Sequence, residues 1–397
     1  MKPLLLKEFT ATSCIGTGRE QTLASLIDQR IGLKDCTFDT VDLDTHVGEV
    51  LGIDDERLPD HLRKFDCRNN RLAELALRQD GFFESVQQAA ARWGHRRIGV
   101  FLGTSTAGIL QTELAYRARD PLSGALPQSF EYGATHNSFS LADFARRRFQ
   151  LDGPAVAVSC ACASSAKVFG SARRMIEAGL IDAALVGGVD SLCLTTLYGF
   201  HSLQLASKAP CRPFDVARDG ISIGEAAAFA LLERAPQSMD ADAVLLLGIG
   251  ESTDAYHMSA PHPEGLGARL AMQAALSAAS LEPDAIDYIN LHGTGTPSND
   301  RSESHAVTSI FGPTTPCSST KGATGHTLGA AGALEAVISA LALQNGLMPG
   351  GVRTTKIDPS LTAHYIRENR RVPIARVLSN SFGFGGTNCS LIFGRAG

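Results

Sequence analysis

The sequence predicts an α/β protein built from two similar halves. Three observations carry this. Short runs of branched and small apolar residues alternate with stretches of helical spacing, the coarse order of these elements in the second half repeats that of the first, and loops rich in Gly, Ser and Thr follow the apolar runs. Open α/β sheets place their sites in such loops.

Taken in order, Leu4-Leu-Leu6 reads as a strand, with a helix around Gln21 to Arg30. Ile98-Gly-Val-Phe-Leu102 is a buried strand, and Gly103 to Gly108 a small-residue loop that lets backbone approach a ligand. That loop lacks the lysine of a P-loop and the spacing of a dinucleotide fingerprint, which excludes a nucleotide site there. Ala155 to Val158 is the next strand, with Val156 and Val158 suited to burial. From Ala163 to about Ala178 the positions Ala166, Phe169, Ala172, Met175 and Ile176 fall at helical spacing. Ala183 to Val189 closes a strand-helix-strand unit of the kind that builds parallel sheets. A polar, turn-rich connection, Cys211 to Gly220, leads into Gly224 to Glu233, and the linker-like Arg234 to Ala241 divides the chain into halves 1–237 and 238–397. The second half offers strands at Ala243 to Gly248 and Ala285 to Leu291, with a helix from about Gly267 to Ser280 between them. A helix opened by a Gly- and Thr-rich loop follows, then one from about Ala330 to Asn345, and closing strands near Arg371 to Ser379 and Ser390 to Phe393.

Composition narrows the class. With 397 residues, 44% hydrophobic and 19% charged, the chain can bury a sizeable core. No uninterrupted apolar run is long enough to span a bilayer, and Met1 to Lys7 lacks the features of a signal peptide, so the expected location is the cytoplasm. Nine cysteines without C-x-x-C spacing argue against a disulfide framework and a structural zinc site; a net charge of −5 argues against broad nucleic-acid binding.

The chemistry gathers at four places. Cys160 and Cys162 lie at a strand-helix join, where unpaired amides and the helix dipole favour the thiolate that attacks acyl groups. His292, Thr294 and Thr296 follow an apolar strand; Lys321 and His326 precede a small-residue helix; Ser379 to Asn388 is a glycine-rich turn whose amides suit an oxyanion. Taken singly, each also reads as plain structure: a buried cysteine, a strand-end histidine, a turn. The basic run Arg57, Arg63, Lys64, Arg68 and Arg71 reads equally as a solvated face or an acidic partner's dock.

Together these motifs resemble a β-ketoacyl-acyl-carrier-protein synthase of the elongating type, a condensing enzyme of the thiolase superfamily, over nearly the full chain. The matching elements are Cys-Ala-Ser-Ser at 162–165, Cys-Arg-Pro-Phe-Asp at 211–215 with Arg218-Asp-Gly220, Asp254-Ala-Tyr-His-Met258, His-Gly-Thr-Gly-Thr-Pro at 292–297, Lys-Gly-Ala-Thr-Gly-His at 321–326 and Asn-Ser-Phe-Gly-Phe-Gly-Gly-Thr-Asn at 380–388. The resemblance implies a thiolase-like α-β-α-β-α layering and a decarboxylative Claisen condensation of an acyl thioester with malonyl carrier protein. It implies Cys162 as the nucleophile, with Cys160 structural, and His292 and His326 as the pair that stabilises the malonyl thioester oxygen. Lys321 would support that pair, with Glu303 as its carboxylate partner. The amides of Cys162 and Phe384 would form the oxyanion hole, the Phe384 ring a gate, Thr294 and Thr296 the pantetheine contacts, and Thr106 and Phe200 part of the acyl pocket. Arg63, Lys64 and Arg68 would dock the acidic acyl carrier protein. No metal or redox cofactor is implied.

Departures from the family pattern, Gly224-Glu-Ala226 for Gly-Glu-Gly, a short connection Leu203 to Pro210 and the polar Thr106, point to a specialised fatty-acid, aryl-polyene or polyketide-like chain. The dimer implied is with itself or with a homologous synthase or chain-length factor. A biosynthetic thiolase and a non-catalytic chain-length factor are the alternatives. Cys389, after the glycine-rich turn and in a strand-like context, disfavours the first, and the presence of Cys162 with both histidines disfavours the second.

Overall fold

The computed structural model of the chain describes residues 1–396. Ten strands build its main sheet: β1 (Leu4–Ser13), β2 (Ile98–Gly103), β3 (Ala155–Val158), β4 (Ala183–Asp190) and β5 (Ala226–Arg234), then β6 (Val244–Thr253), β7 (Tyr288–Asn290), β8 (Pro316–Ser318), β9 (Arg376–Gly383) and β10 (Thr387–Arg395). Two short outliers, Gly16–Thr17 and His364–Tyr365, complete the twelve. The helices are α1 (Gly18–Ile27), α2 (Arg68–Leu77), α3 (Phe82–Trp93), α4 (Ile109–Arg117), α5 (Ser140–Arg148), α6 (Ser164–Glu177), α7 (Leu194–Ser202), α8 (Leu266–Ala279), α9 (Pro297–Phe311), α10 (Lys321–Thr324) and α11 (Ala331–Asn345).

Strand order shows the duplication that the sequence only outlines. The first half runs β3-β2-β4-β5-β1 and the second β8-β7-β9-β10-β6, so within each half the chain order across the sheet is third, second, fourth, fifth, first. The halves meet where β1 pairs with β6 through Leu4 opposite Leu246 and Leu5 opposite Leu245. The sheet is mixed rather than parallel. β2 pairs in parallel with β3 and β4, as β7 does with β8 and β9, whereas β4/β5, β5/β1, β9/β10 and β10/β6 are antiparallel.

Alternation along the strands explains the layering. On β5, Ala226, Ala228, Ala230 and Leu232 face a core shared with α6 and α11, and Ala227, Phe229 and Leu231 face one shared with α2, α3 and α5. On β10, Cys389, Leu391 and Phe393 face the shared middle, while Ile392 faces α8 and α9. α6 and α11, covered on both sides, form the central layer between the half-sheets. α11, buried from Ala331 to Leu343, is apolar all round, with Glu335 as its one charge. Leu328–Asn345 is long and apolar enough to cross a membrane on length and composition, but Glu335 interrupts it and 89% of it is buried inside the protein.

Other expectations shift for equally local reasons. The first strand extends to Ser13, because β5 pairs with it along its length. β3 is the sheet edge and packs on one side only, so Val156 is 37% exposed rather than buried.

Arg68 is not a surface residue. It opens α2, is 7% exposed, and donates to Glu225 from Nε (2.9 Å) and a terminal nitrogen (2.6 Å), with Glu49 and Asp54 alongside. Glu225, fully buried, also accepts the amides of Val50 and Leu192 at 2.9 Å, so one carboxylate ties three segments together. This removes Arg68 from the docking patch; Arg63 and Lys64 remain exposed, Arg63 paired with Asp60. Arg68→Ala, which strands the buried Glu225 charge, is expected to lower unfolding stability by about 3–5 kcal/mol in denaturant titration, against about 0.5 kcal/mol or less for Arg63→Ala.

Candidate active site

Cys162 owes its position to a strained turn. After β3 the chain passes through Ala161 at φ +54°, a left-handed conformation unusual for alanine, and α6 begins two residues after Cys162. Ser164 Oγ donates to the Ala161 carbonyl (2.6 Å) and accepts the Cys160 amide (2.9 Å), which pins the turn. Gly103, at the end of β2, leaves room for the helix start: a Cβ there would lie 2.4 Å from the Ser165 nitrogen.

Two loops from the second half bring the histidines to the thiol. The reacting atoms of Cys162, His292 and His326 all lie within 4.8 Å of one another, and the imidazole centroids are 5.2 Å apart, edge to face. His292 follows β7, its amide held by Glu303 Oε1 (2.8 Å) and the next amide, Gly293, by Oε2 (2.7 Å). His326 follows α10 after Gly325 (φ +71°), its amide bound to the Ser222 carbonyl at 2.7 Å. His326 Nδ1 accepts the Leu328 amide (3.2 Å), so its neutral ring carries the proton on Nε2 and offers a donor rather than a metal-binding lone pair. The His292 Nδ1 is buried without a partner.

Burial sets the protonation states. Desolvation, then the charge of Lys321, holds both imidazoles well below their ordinary pKa, so they are neutral at physiological pH; for His292 the neighbouring His326 adds to this. Burial pushes the Cys162 thiol up to about 12, while Lys321 and the amides of Phe384 and Cys162 pull it down. The thiolate expected from the helix terminus alone is therefore not the resting state: desolvation outweighs the Lys321 charge and the amides.

Lys321 is 1% exposed and pairs with Glu335 of α11, not with Glu303. Glu303 is spent on the two loop amides and on Asn380 Nδ2 (3.1 Å); burial lifts its pKa to about 7, as it does that of Glu335 against the opposing Lys321 charge. The sequence signal for Glu335 was available: it is the one charged residue in α11.

A cavity opens onto the thiol. Cys162, His292, His326, Thr294, Thr296, Phe200 and Phe384 line it, together with Leu205, Ile221, Asp254, Phe382 and Asn388, whose part in the lining the sequence reading did not foresee. Thr294 and Thr296 share a hydroxyl hydrogen bond of 2.9 Å, and the Phe200 and Phe384 rings stand 5.7 Å apart. Thr106 does not line this cavity. Its hydroxyl donates to the buried Asp190 (2.8 Å), which also accepts the Thr104 hydroxyl, the Ser105 and Thr106 amides and, across the halves, the Gly329 amide. Asp190 thus welds the loop after β2 to the turn that carries His326. Arg63 and Lys64 lie on the short helical turn Asp60–Phe65, outside the cavity lining. Cys389, fully buried in β10, is likewise outside the lining, so a second thiol is not at hand.

A duplicated α/β fold with a helix-start cysteine under two neutral histidines is the site of a condensing enzyme that works through a thiol. The chain belongs to the β-ketoacyl synthase family, of the elongating type within the thiolase superfamily: residues 70–238 match the model of the β-ketoacyl synthase N-terminal domain and residues 243–354 that of its C-terminal domain. It is 35% identical to a 3-oxoacyl-(acyl-carrier-protein) synthase 2 of Coxiella burnetii over 75% of each chain, and 30% identical to that of Staphylococcus aureus over 99% of this chain and 98% of the other. Among solved structures, a ketosynthase in complex with its chain length factor from Xenorhabdus doucetiae is similar at a TM-score of 0.90 and 38% identity, covering 100% of this chain and 98% of that one.

Because the Cys162 pKa is raised, the thiolate fraction should climb throughout the working range. Iodoacetamide alkylation of Cys162, followed by peptide mass mapping, should accelerate about tenfold per pH unit from pH 7 to 9. A plateau inside that window would contradict a thiol held protonated by burial.

Proposed function

We propose that this chain is a catalytic ketosynthase that loads an acyl chain from an acyl carrier protein onto Cys162 and condenses it with malonyl carrier protein, without metal or redox cofactor. The observation that carries this is Cys162 at the start of α6 with two neutral imidazoles within 4.8 Å at the end of a cavity. In the first half-reaction Cys162 sulfur attacks the donor thioester, its proton leaves to the departing pantetheine thiol, and the oxyanion sits against the amides of Cys162 and Phe384. In the second, loss of carbon dioxide from the malonyl group leaves an enolate, whose oxygen the His326 Nε2–H and His292 stabilise. Its carbon attacks the acyl-cysteine carbonyl, and collapse releases the β-ketoacyl product and the Cys162 sulfur. Neutral imidazoles suit this role, since each keeps a donor without adding a charge that would bind the malonyl carboxylate too tightly. Thr294 and Thr296 would hold the pantetheine arm, and Phe384 would separate acyl pocket from malonyl site.

Intact-mass measurement after incubation with a panel of acyl-carrier proteins is expected to show acylation of the wild type and none of Cys162→Ala. His326→Ala should load but condense more slowly by a barrier of about 2.7–4 kcal/mol. Charge reversal at Arg63 and Lys64 should weaken carrier association most at low salt; an unchanged Michaelis constant for carrier-bound substrate would exclude this patch.

The partner we favour is a homologous chain-length factor. The similar ketosynthase of X. doucetiae, and an ishigamide ketosynthase/chain length factor at TM-score 0.89 and 27% identity, are both described as such pairs. β3 offers the unpaired edge that a second chain would extend. An intact Cys162, His292 and His326 make this chain the active member. Light scattering should give a dimer mass only after a neighbour-encoded homologue is added; a stable dimer of the chain alone would favour the homodimer.

A further inference from the structure

We propose that Glu113, on α4 and outside the reacting centre, is a positioning residue that sets acyl-chain selectivity by fixing α7 and, through it, Phe200. The inference rests on the synthase reading above. α7 begins at Leu194 with Cys193 as its N-cap residue, and no side chain within the cap closes it. Glu113 does so from another helix: Oε2 accepts the Leu194 amide (3.0 Å), and Oε1 accepts both the Thr195 amide (2.7 Å) and the Thr195 hydroxyl (2.5 Å). A carboxylate there satisfies two amides that no turn of the helix can reach and meets the positive end of the helix dipole.

α4 is a firm base for this. It springs from the Gly103–Gly108 loop whose amides and hydroxyls Asp190 holds, the same carboxylate that holds the turn after His326. At the other end α7 delivers Phe200, whose ring meets Phe384 at 5.7 Å, and the turn beyond it delivers Leu205, both lining the cavity. Glu113 therefore connects the frame of the histidine turn to the aromatic wall of the cavity. Loosening that connection alters which chains fit while leaving Cys162, His292 and His326 in place.

The test compares acylation of Cys162 by a short and a long acyl-carrier protein, read as the ratio of the two kcat/KM values, in wild type, Glu113→Ala, Phe200→Ala and the double variant. Glu113→Ala should shift the ratio by about fivefold, the scale of a lost helix cap. The same substitution in the Phe200→Ala background should shift it no further, because coupled residues are not additive. Glu113→Gln, which keeps one acceptor oxygen, should give a smaller shift in the same direction and serves as the measurement if the alanine variant does not fold. An unchanged ratio in a folded variant, or an equal shift with and without Phe200, would overturn the proposal. Failure of the wild type itself to acylate Cys162 would instead overturn the synthase reading.

Discussion

Everything at the reacting centre depends on one buried ion pair. Lys321 and Glu335 lie 1% and 2% exposed between the half-sheets; after burial itself, the Lys321 charge is the largest influence on the reacting groups, holding both histidines low and offsetting part of the rise that burial imposes on the thiol. Burial of a charge is costly without a partner, so Glu335 is what keeps the ammonium in place. Its effect on the three reacting groups is uneven but coherent: the imidazoles stay neutral donors, and the thiolate, once it forms, has a cation nearby.

Around that pair the fold divides its labour. The first half supplies the nucleophile on a strained turn into α6; the second supplies both histidines from loops after β7 and α10. Neither half holds a complete centre. One buried carboxylate joins the halves, Asp190, which binds the loop after β2 to the Gly329 amide; Glu225 binds Arg68 and two loop amides within the first half.

This shows where sequence was legible. Strand alternation and helix spacing gave α6, α8 and α11 within a residue or two, because burial on one face or all round leaves a periodic record. Loop motifs pointed to Cys162, His292 and His326, since glycine and small residues mark where backbone must approach a site, and the family resemblance added Phe384; the structure brings all four to one cavity. What escaped was partnership across distance. The family resemblance pairs Lys321 with Glu303, yet that carboxylate is taken by the His292 and Gly293 amides, and Lys321 pairs with Glu335. Arg68 sits in a basic run and faces inward, because a helix start turns one residue in while its neighbours Arg63 and Lys64 face out. Thr106 lies in the small-residue loop Gly103 to Gly108 but turns its hydroxyl to Asp190. Such choices are made by the third dimension, and of these partners Glu335, the one charge in α11, is the one that a local pattern marks.

The most direct test of the account is the protonation of the two histidines. Nitrogen-15 chemical shifts of His292 and His326, followed in the resting protein from about pH 8 down to the acid limit of folding, report charge and tautomer together. Both rings should remain neutral below the ordinary histidine pKa of 6.5, with the His326 proton on Nε2. Titration of either ring near 6.5, or a His326 proton on Nδ1, would contradict the claim that the Lys321–Glu335 pair and burial hold the centre as neutral donors.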